Sequence, residues 1–253
     1  MSEVLRSTRE GAVLLVELHR PARHHAIDRA LADALEAALD AAEADQEVAA
    51  LVITGSGDKA FCAGQDMLEA SGLEPAATSA APAPTSSAQR AAARLERSPL
   101  PLIAAVNGYC YGGGALLAMA CDIRLAASHA TFRLPGAEYG LVVGAATLPR
   151  LVGPAKAKEL IFTARVFAAA EALGCGFVNA VHAPEQLRDA ALAMAHAIAA
   201  NDARAVRESK RIIELAGQAD VARAAEQAVN AELRGSAAQR ARFRAATARV
   251  TGR

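Results

Sequence analysis

Leu102–Ala126 reads LIAAVNGYCYGGGALLAMACDIRLA, and its pattern indicates the fold class. Leu102–Val106 is a continuous apolar run of strand length, the pattern of a strand buried on both faces of a parallel sheet. Asn107-Gly108 ends it with turn chemistry. Gly112-Gly113-Gly114 then opens a small-residue helix to about Ala120, and Asp122–Ala126 reads as another strand. Strand, helix and strand in this order predict an α/β chain.

Working towards the N-terminus, Ala49–Thr54 (AALVIT) is a second buried strand, closed by Gly55-Ser56-Gly57. Val4–Thr8 and Ala12–His19 are β-rich runs joined by Arg9-Glu10-Gly11, which predicts a hairpin. Asp28 stands where an N-cap belongs, ahead of Leu31, Leu35, Ala38 and Leu39 at helical spacing. Towards the C-terminus the character changes at Pro154. Helices are expected over Ala155–Thr163, Ala168–Leu173, Pro184–Ala200, Asp202–Ala216 and Ala219–Leu233, with Pro154 and Pro184 in first turns. Ser236–Arg253 is Arg/Ala-rich and is expected to form a helix whose apolar side lies on another subunit. The chain divides on this reading into a core, residues 1–195, and a C-terminal helical region, residues 196–253. Ser71–Ala88 (SGLEPAATSAAPAPTSSA) has too few large apolar side chains to pack well and is expected to be a flap or disordered loop.

The 253 residues are 53% hydrophobic and 21% charged, with 27 basic and 27 acidic side chains. A chain of this size can bury a sizeable core without disulfides or metals. Zero net charge argues against nucleic-acid binding, which needs a surplus of Lys and Arg on one face. No apolar run approaches the roughly 20 residues of a membrane span, and Met1–Gly11 lacks the pattern of a secretory signal. The expectation is a cytoplasmic protein that binds neither nucleic acid nor membrane. Cys62, Cys110, Cys121 and Cys175 have no CxxC spacing and read as buried small hydrophobes. The histidines are scattered, apart from the adjacent pair His24-His25, so no metal site is expected.

Thr54–Ala60 (TGSGDKA) contains G-x-G-x-x-A after a strand, as a dinucleotide phosphate loop does. That chemistry needs a helix to open there and an acidic residue at the end of the next strand. Phe61-Cys62-Ala63-Gly64 opens no helix, and the segment reads as a turn.

Two other segments are informative together. Lys59-Ala60-Phe61-Cys62-Ala63-Gly64-Gln65-Asp66 and Asn107-Gly108-Tyr109-Cys110-Tyr111-Gly112-Gly113-Gly114 resemble the paired signatures of the crotonase, or enoyl-CoA hydratase/isomerase, family. The resemblance spans about residues 10–180 and includes Arg20-Pro21, Ala130-Thr131-Phe132 with Pro135 and Gly140, Arg150-Leu151-Val152-Gly153, and Lys156. It implies a crotonase-type spiral of ββα units with a C-terminal helical region, assembled as a homotrimer or a hexamer built from two trimers. It also implies an acyl-CoA substrate, with no cofactor apart from the coenzyme A of that substrate.

Thioester chemistry explains such segments. When an α-proton is removed or a nucleophile attacks, negative charge gathers on the thioester oxygen, and N–H groups aimed there lower the barrier. Glycine permits close backbone approach and a helix N-terminus adds a favourable dipole. By motif position the resemblance assigns these donors to the amides of Gln65 and Gly113, with neither side chain required. It places coenzyme A along Ala22, Arg23, Ala26 and Ala63 to Met67, including Asp66, with Arg23 able to meet a phosphate; His25 stands where the family often has Asn. Gly112, Leu116, Gly136 and Leu141 fall on the acyl side, where the two leucines would create an apolar pocket.

The family's hydratases use two glutamates, because one group takes a proton from water while the other donates to carbon or positions that water. Their places hold Leu116 and Gly136 here, and a further acidic position used by isomerases holds Gly144. Glu138, two residues past Gly136, would keep the same side on an extended backbone. In an otherwise apolar run its carboxylate would be a useful base; an ion pair with Arg133 or Arg150 is the competing reading. Asp66 more readily holds the backbone, Glu69 could swing inward, and Tyr111 or Tyr139 could donate a hydrogen bond. Gly136 also resembles the glycine of dihydroxynaphthoyl-CoA synthases that use external bicarbonate, but Leu141-Val142-Val143 does not match their following loop. Isomerase-like or other enolate chemistry is therefore expected ahead of hydration. A silent acyl-CoA-binding scaffold is the alternative, as is a hydrolase or decarboxylase of a branched or cyclic acyl-CoA.

Overall fold

The computed structural model describes residues 4–71, 85–215, 228, 231 and 234–251. Its strands are β1 (Leu5–Glu10), β2 (Val13–Leu18), β3 (Ala50–Gly55), β4 (Ala60–Cys62), β5 (Leu102–Val106), β6 (Tyr109–Tyr111), β7 (Ile123–Ala127), β8 (Thr131–Arg133), β9 (Phe167–Ala168) and β10 (Ala180–His182). The helices are α1 (Arg29–Ala44), α2 (Met67–Ser71), α3 (Ser87–Glu96), α4 (Gly113–Ala120), α5 (Leu148–Val152), α6 (Pro154–Thr163), α7 (Ala169–Gly174), α8 (Leu187–Ala199), α9 (Ala203–Leu215) and α10 (Ala237–Thr251).

The larger sheet runs in the order β1-β2-β3-β5-β7-β10, and the smaller in the order β4-β6-β8-β9. β1 and β2 form the expected antiparallel hairpin, and the remaining neighbours of the larger sheet are parallel. Each turn of the chain lays one long strand in the first sheet and one short strand in the second. Thus β3 is followed by β4, β5 by β6 and β7 by β8, which is the spiral of ββα units.

The central strands β3 and β5 form because their side chains have apolar cover on both faces. Every residue of β3 and β5 is buried, as a continuous apolar run requires. One cover is α8, packed on β2, β3, β5 and β7. Each fully buried Leu, Ile or Val contributes about 1.5–3 kcal/mol. α1 buries Leu31, Ala32, Leu35, Leu39 and Ala42 as a stripe, and Asp28 caps it by accepting the Leu31 N–H at 2.8 Å. Cys62, Cys110 and Cys121 are core residues, and burial pushes the Cys62 and Cys121 thiols up to about 12.

Three expectations change. The boundary at 195/196 falls inside α8, whose buried face includes Leu192 and Ala195, so the core extends through that helix. Ser87 and Ala88 belong to α3, which a capping box between Ser86 and Gln89 initiates; the rest of the expected flap from 72 to 84 lies outside the described residues. α10 packs against α2 and the 3₁₀ turn Ala137–Tyr139 of its own chain, a contact that the expected intersubunit seat did not include. The helix expected over Ala219–Leu233 lies almost wholly outside the described residues. Among the described residues no helix is long and apolar enough to cross a membrane.

Candidate active site

Two loops leave the smaller sheet side by side, one from β4 into α2 and one from β6 into α4. In the first, Ile27 N–H donates to Gly64 C=O at 2.7 Å, and Asp66 N–H donates to Ile27 C=O at 2.9 Å. Across a trans peptide the C=O and N–H point in opposite directions. The Gln65 N–H therefore faces away from Ile27. In the second loop Gly112 N–H donates to Arg133 C=O at 2.9 Å, and Gly112 C=O accepts from Leu116 N–H at 3.0 Å. By the same geometry the Gly113 N–H points out of the start of α4. Neither the Gln65 nor the Gly113 amide has an acceptor among the described residues.

The loops are in contact where these amides lie. A Cβ added to Gly113 would stand 3.0 Å from the Gln65 nitrogen and 2.5 Å from the Ala88 Cβ, and one added to Gly64 would stand 3.2 Å from the Gly113 nitrogen. Gly112 has φ 51 and ψ −111, a conformation closed to residues with a Cβ. The triple glycine thus serves both backbone direction and close approach.

The Gln65 side chain was expected to be a bystander, and here the structure corrects the sequence reading. Its Oε1 accepts the Ala88 N–H at 2.9 Å in the first turn of α3, and its Nε2 donates to Glu69 Oε1 at 2.9 Å. Glu69 also accepts from Ser87 Oγ at 2.8 Å and, through Oε2, from the Arg29 N–H at 2.8 Å. Glu69 is accordingly anchored to three elements and is not poised to swing inward. Ser87 and Ala88 escaped the sequence reading, although Ser86-Ser87-Ala88-Gln89 carries the capping-box spacing that locates α3.

The residues expected along coenzyme A come together. The His24 carbonyl accepts from the Ala63 N–H at 2.9 Å, and the bridge between Ile27 and Gln65 sets the segment of Ala22, Arg23 and Ala26 beside Ala63 to Met67. Ala22, Arg23 and His24 are exposed, Ala26 and Met67 half-buried. The turn uses two successive left-handed residues, His24 (φ 47) and His25 (φ 57). His25 is buried, with Nδ1 accepting the Arg20 N–H at 3.0 Å and Nε2 lying 3.0 Å from the Ser56 carbonyl oxygen. Those partners assign the neutral tautomer with the proton on Nε2. The Asp66 side chain is buried, paired with Arg20 at 3.1 Å and accepting the Leu68 N–H at 3.1 Å, so it holds the loop. Arg20 also pairs with Asp28 at 2.8 Å, tying the loop to the start of α1. The Thr54–Ala60 segment is a turn leading into β4, and Asn107 Nδ2 donates to both the Gly55 and Gly57 carbonyls at 2.7 Å.

Around Leu116, Gly136 and Gly144, the places where the resemblance would put carboxylates, the neighbours are largely apolar. Leu116 is half-buried against the core. A Cβ on Gly136 would stand 2.9 Å from the Val143 Cβ and 3.0 Å from the Leu141 carbonyl oxygen, so no glutamate-sized volume stands open there. One on Gly144 would meet the Leu134 side chain at 2.7 Å. Glu138 departs from the extended-backbone expectation: it lies in the 3₁₀ turn Ala137–Tyr139, where residues two apart do not share a face. Its carboxylate pairs with Arg133 and, at 3.4 Å, with Arg249 of α10. Its surroundings are therefore guanidinium groups, not the apolar run expected for it. Tyr139 packs on Phe243 of α10 with ring centroids 5.4 Å apart, and burial pushes its phenol up. The Tyr111 hydroxyl lies 2.9 Å from Thr131 Oγ1. α10 had offered no sequence signal for this contact, because its apolar residues do not gather on one side.

Comparison with known proteins bears on this arrangement. A family model described as enoyl-CoA hydratase/isomerase matches residues 8–249. The short-chain-enoyl-CoA hydratase of Clostridium acetobutylicum is 38% identical over 84% of this chain and 82% of its own length. The crotonyl-CoA hydratase of Syntrophomonas wolfei is 38% identical over 85% of this chain and 83% of its own. The crystal structure of an enoyl-CoA hydratase/isomerase from Xanthobacter autotrophicus Py2 superposes with a TM-score of 0.87 at 32% identity, covering 100% of this chain and 95% of that one.

Proposed function

Because the chain belongs to the enoyl-CoA hydratase/isomerase family, we propose that it binds an acyl-CoA and stabilises the thioester enolate with the Gln65 and Gly113 amides. The observation that carries this reading is the pair of amides on touching loops, each turned away from its own chain's hydrogen bonds and neither given an acceptor among the described residues. Donors fixed before the charge arrives need no reorganisation when it develops, which is why such pairs lower barriers. Leu116, Gly136 and Gly144 supply no acid, so moving a proton between carbons, or another enolate reaction, is preferred to adding water. Glu138 is the proposed single acid/base, acting when its pairs with Arg133 and Arg249 open.

Those same two pairs favour a second reading, a protein that binds acyl-CoA without turning it over. The readings separate in one set of assays: calorimetric titration with butyryl-CoA, exchange of its α-protons in deuterated water followed by NMR, and hydration of crotonyl-CoA. The enzymatic reading predicts binding and exchange, with hydration slower than exchange and exchange lost in Glu138→Gln. Binding without any exchange or hydration supports the silent reading. Exchange undiminished in Glu138→Gln removes Glu138 from the chemistry.

A further inference from the structure

The hydrogen bonds of the Gln65 side chain run to the neighbours of the very amides proposed to hold the thioester oxygen. Gln65 Oε1 fixes the Ala88 N–H, and the Ala88 methyl is the group that a Cβ on Gly113 would strike at 2.5 Å. One residue therefore offers its main-chain N–H on one side and, through its side chain, seats the wall beside the second amide. Glu69 closes the arrangement, with Oε1 accepting from Gln65 and Ser87 and Oε2 from the first N–H of α1. Three elements that share no strand pairing, α1, α2 and α3, meet at this carboxylate.

We propose that Glu69 and the Gln65 side chain are positioning residues that set the separation and direction of the Gln65 and Gly113 amides. The inference rests on the reading of those amides as thioester-oxygen donors. A main-chain N–H can be displaced by rotation of its peptide, and a misplacement of about 1 Å is costly to catalysis. The Gln65 peptide is held on one side by Ile27; the carboxamide holds the same residue from the other side. The hydrogen-bond directions specify which substitutions work. Gln65→Glu turns an oxygen towards the Glu69 carboxylate and sets two like charges together. In the exchange Gln65→Glu with Glu69→Gln, one oxygen at position 65 still accepts from Ala88 and the other accepts from the new amide. The amide oxygen at position 69 still accepts from Arg29, and the Ser87 hydroxyl turns to accept.

The test reads the thioester carbonyl itself. Butyryl-CoA carrying ¹³C at the carbonyl is bound to the purified protein, and its stretch is recorded by isotope-edited infrared difference spectroscopy, with affinity and circular dichroism followed in parallel. Wild type is expected to shift the stretch to lower frequency. Gln65→Glu, and the uncharged Gln65→Met should the first misfold, are expected to lose most of that shift at native ellipticity and with affinity within a few-fold. The exchanged pair is expected to recover it. A full shift in both single variants, or no recovery in the exchanged pair, overturns the inference and leaves the functional reading standing. No shift in wild type, whether butyryl-CoA binds or not, overturns the functional reading and this inference with it.

Discussion

At Gly113 the demands on a residue are most severe. With 2.5 Å to the Ala88 Cβ and 3.0 Å to the Gln65 nitrogen, even a methyl group forces the two loops apart. Gly113→Ala is therefore expected to lower turnover by about 10²–10³-fold, the cost of losing one oxyanion donor, with butyryl-CoA affinity little changed. Steady-state kcat and calorimetric Kd measured on the same preparation check this; an unchanged kcat would contradict it. Gly136 makes the opposite point. A glutamate placed there would meet Val143 and Leu141, which occupy the space. Gly136→Glu is expected to lose about 1–3 kcal/mol of stability by overpacking, read from the urea midpoint, and to gain no crotonyl-CoA hydration. The glycines were legible in the sequence because they govern backbone, and backbone motifs survive as strings. The bonds of Gln65 to Ala88 and of Glu69 to Ser87 and Arg29 were not, since they join segments that only the folded chain brings together.

The turn between β2 and α1 makes the fold sensitive to pH around neutrality. Burial, with the charges of His19, His24 and Arg20 nearby, holds the His25 imidazole below its ordinary 6.5, although the Ser56 carbonyl opposes this. The unfolded chain thus takes up a proton near 6.5 that the folded chain refuses, so stability is full above that pH and falls as the pH drops through it. One such group gives a slope of at most about 1.4 kcal/mol per pH unit. Urea midpoints from about pH 8 down to about pH 5 should show this loss. His25→Asn should flatten it while keeping the turn, since Asn tolerates the left-handed conformation that position 25 adopts. An equal acid loss in both proteins would contradict the assignment. Among the elements, those with a strong pattern were readable: the apolar runs of β3 and β5, the capped stripe of α1 and the proline opening α6, whereas Pro184 opens a 3₁₀ turn, Pro184–Gln186, ahead of α8. The two- and three-residue strands of the smaller sheet were not, because so short a segment shows no period and is fixed only by its partners.

Across the whole molecule, function follows from the spiral. Because each turn lays a strand in both sheets, β4 and β6 become neighbours, and the loops that leave them arrive together although Gln65 and Gly113 are far apart in sequence. α1, α3 and α10 close around those loops, and α10 does so through Phe243 and Arg249 of the same chain. The family resemblance made the spiral legible at the outset, and it pointed to the loops of Gln65 and Gly113, which the fold sets in contact. It could not foretell that Glu138 would sit between two arginines, since one of them belongs to a helix more than a hundred residues away. On the proposed function the two amides hold one thioester oxygen. In a crystal structure with a bound acyl-CoA, the carbonyl oxygen is expected at about 2.7–3.1 Å from both the Gln65 and Gly113 nitrogens. A carbonyl turned away from either nitrogen would contradict the account.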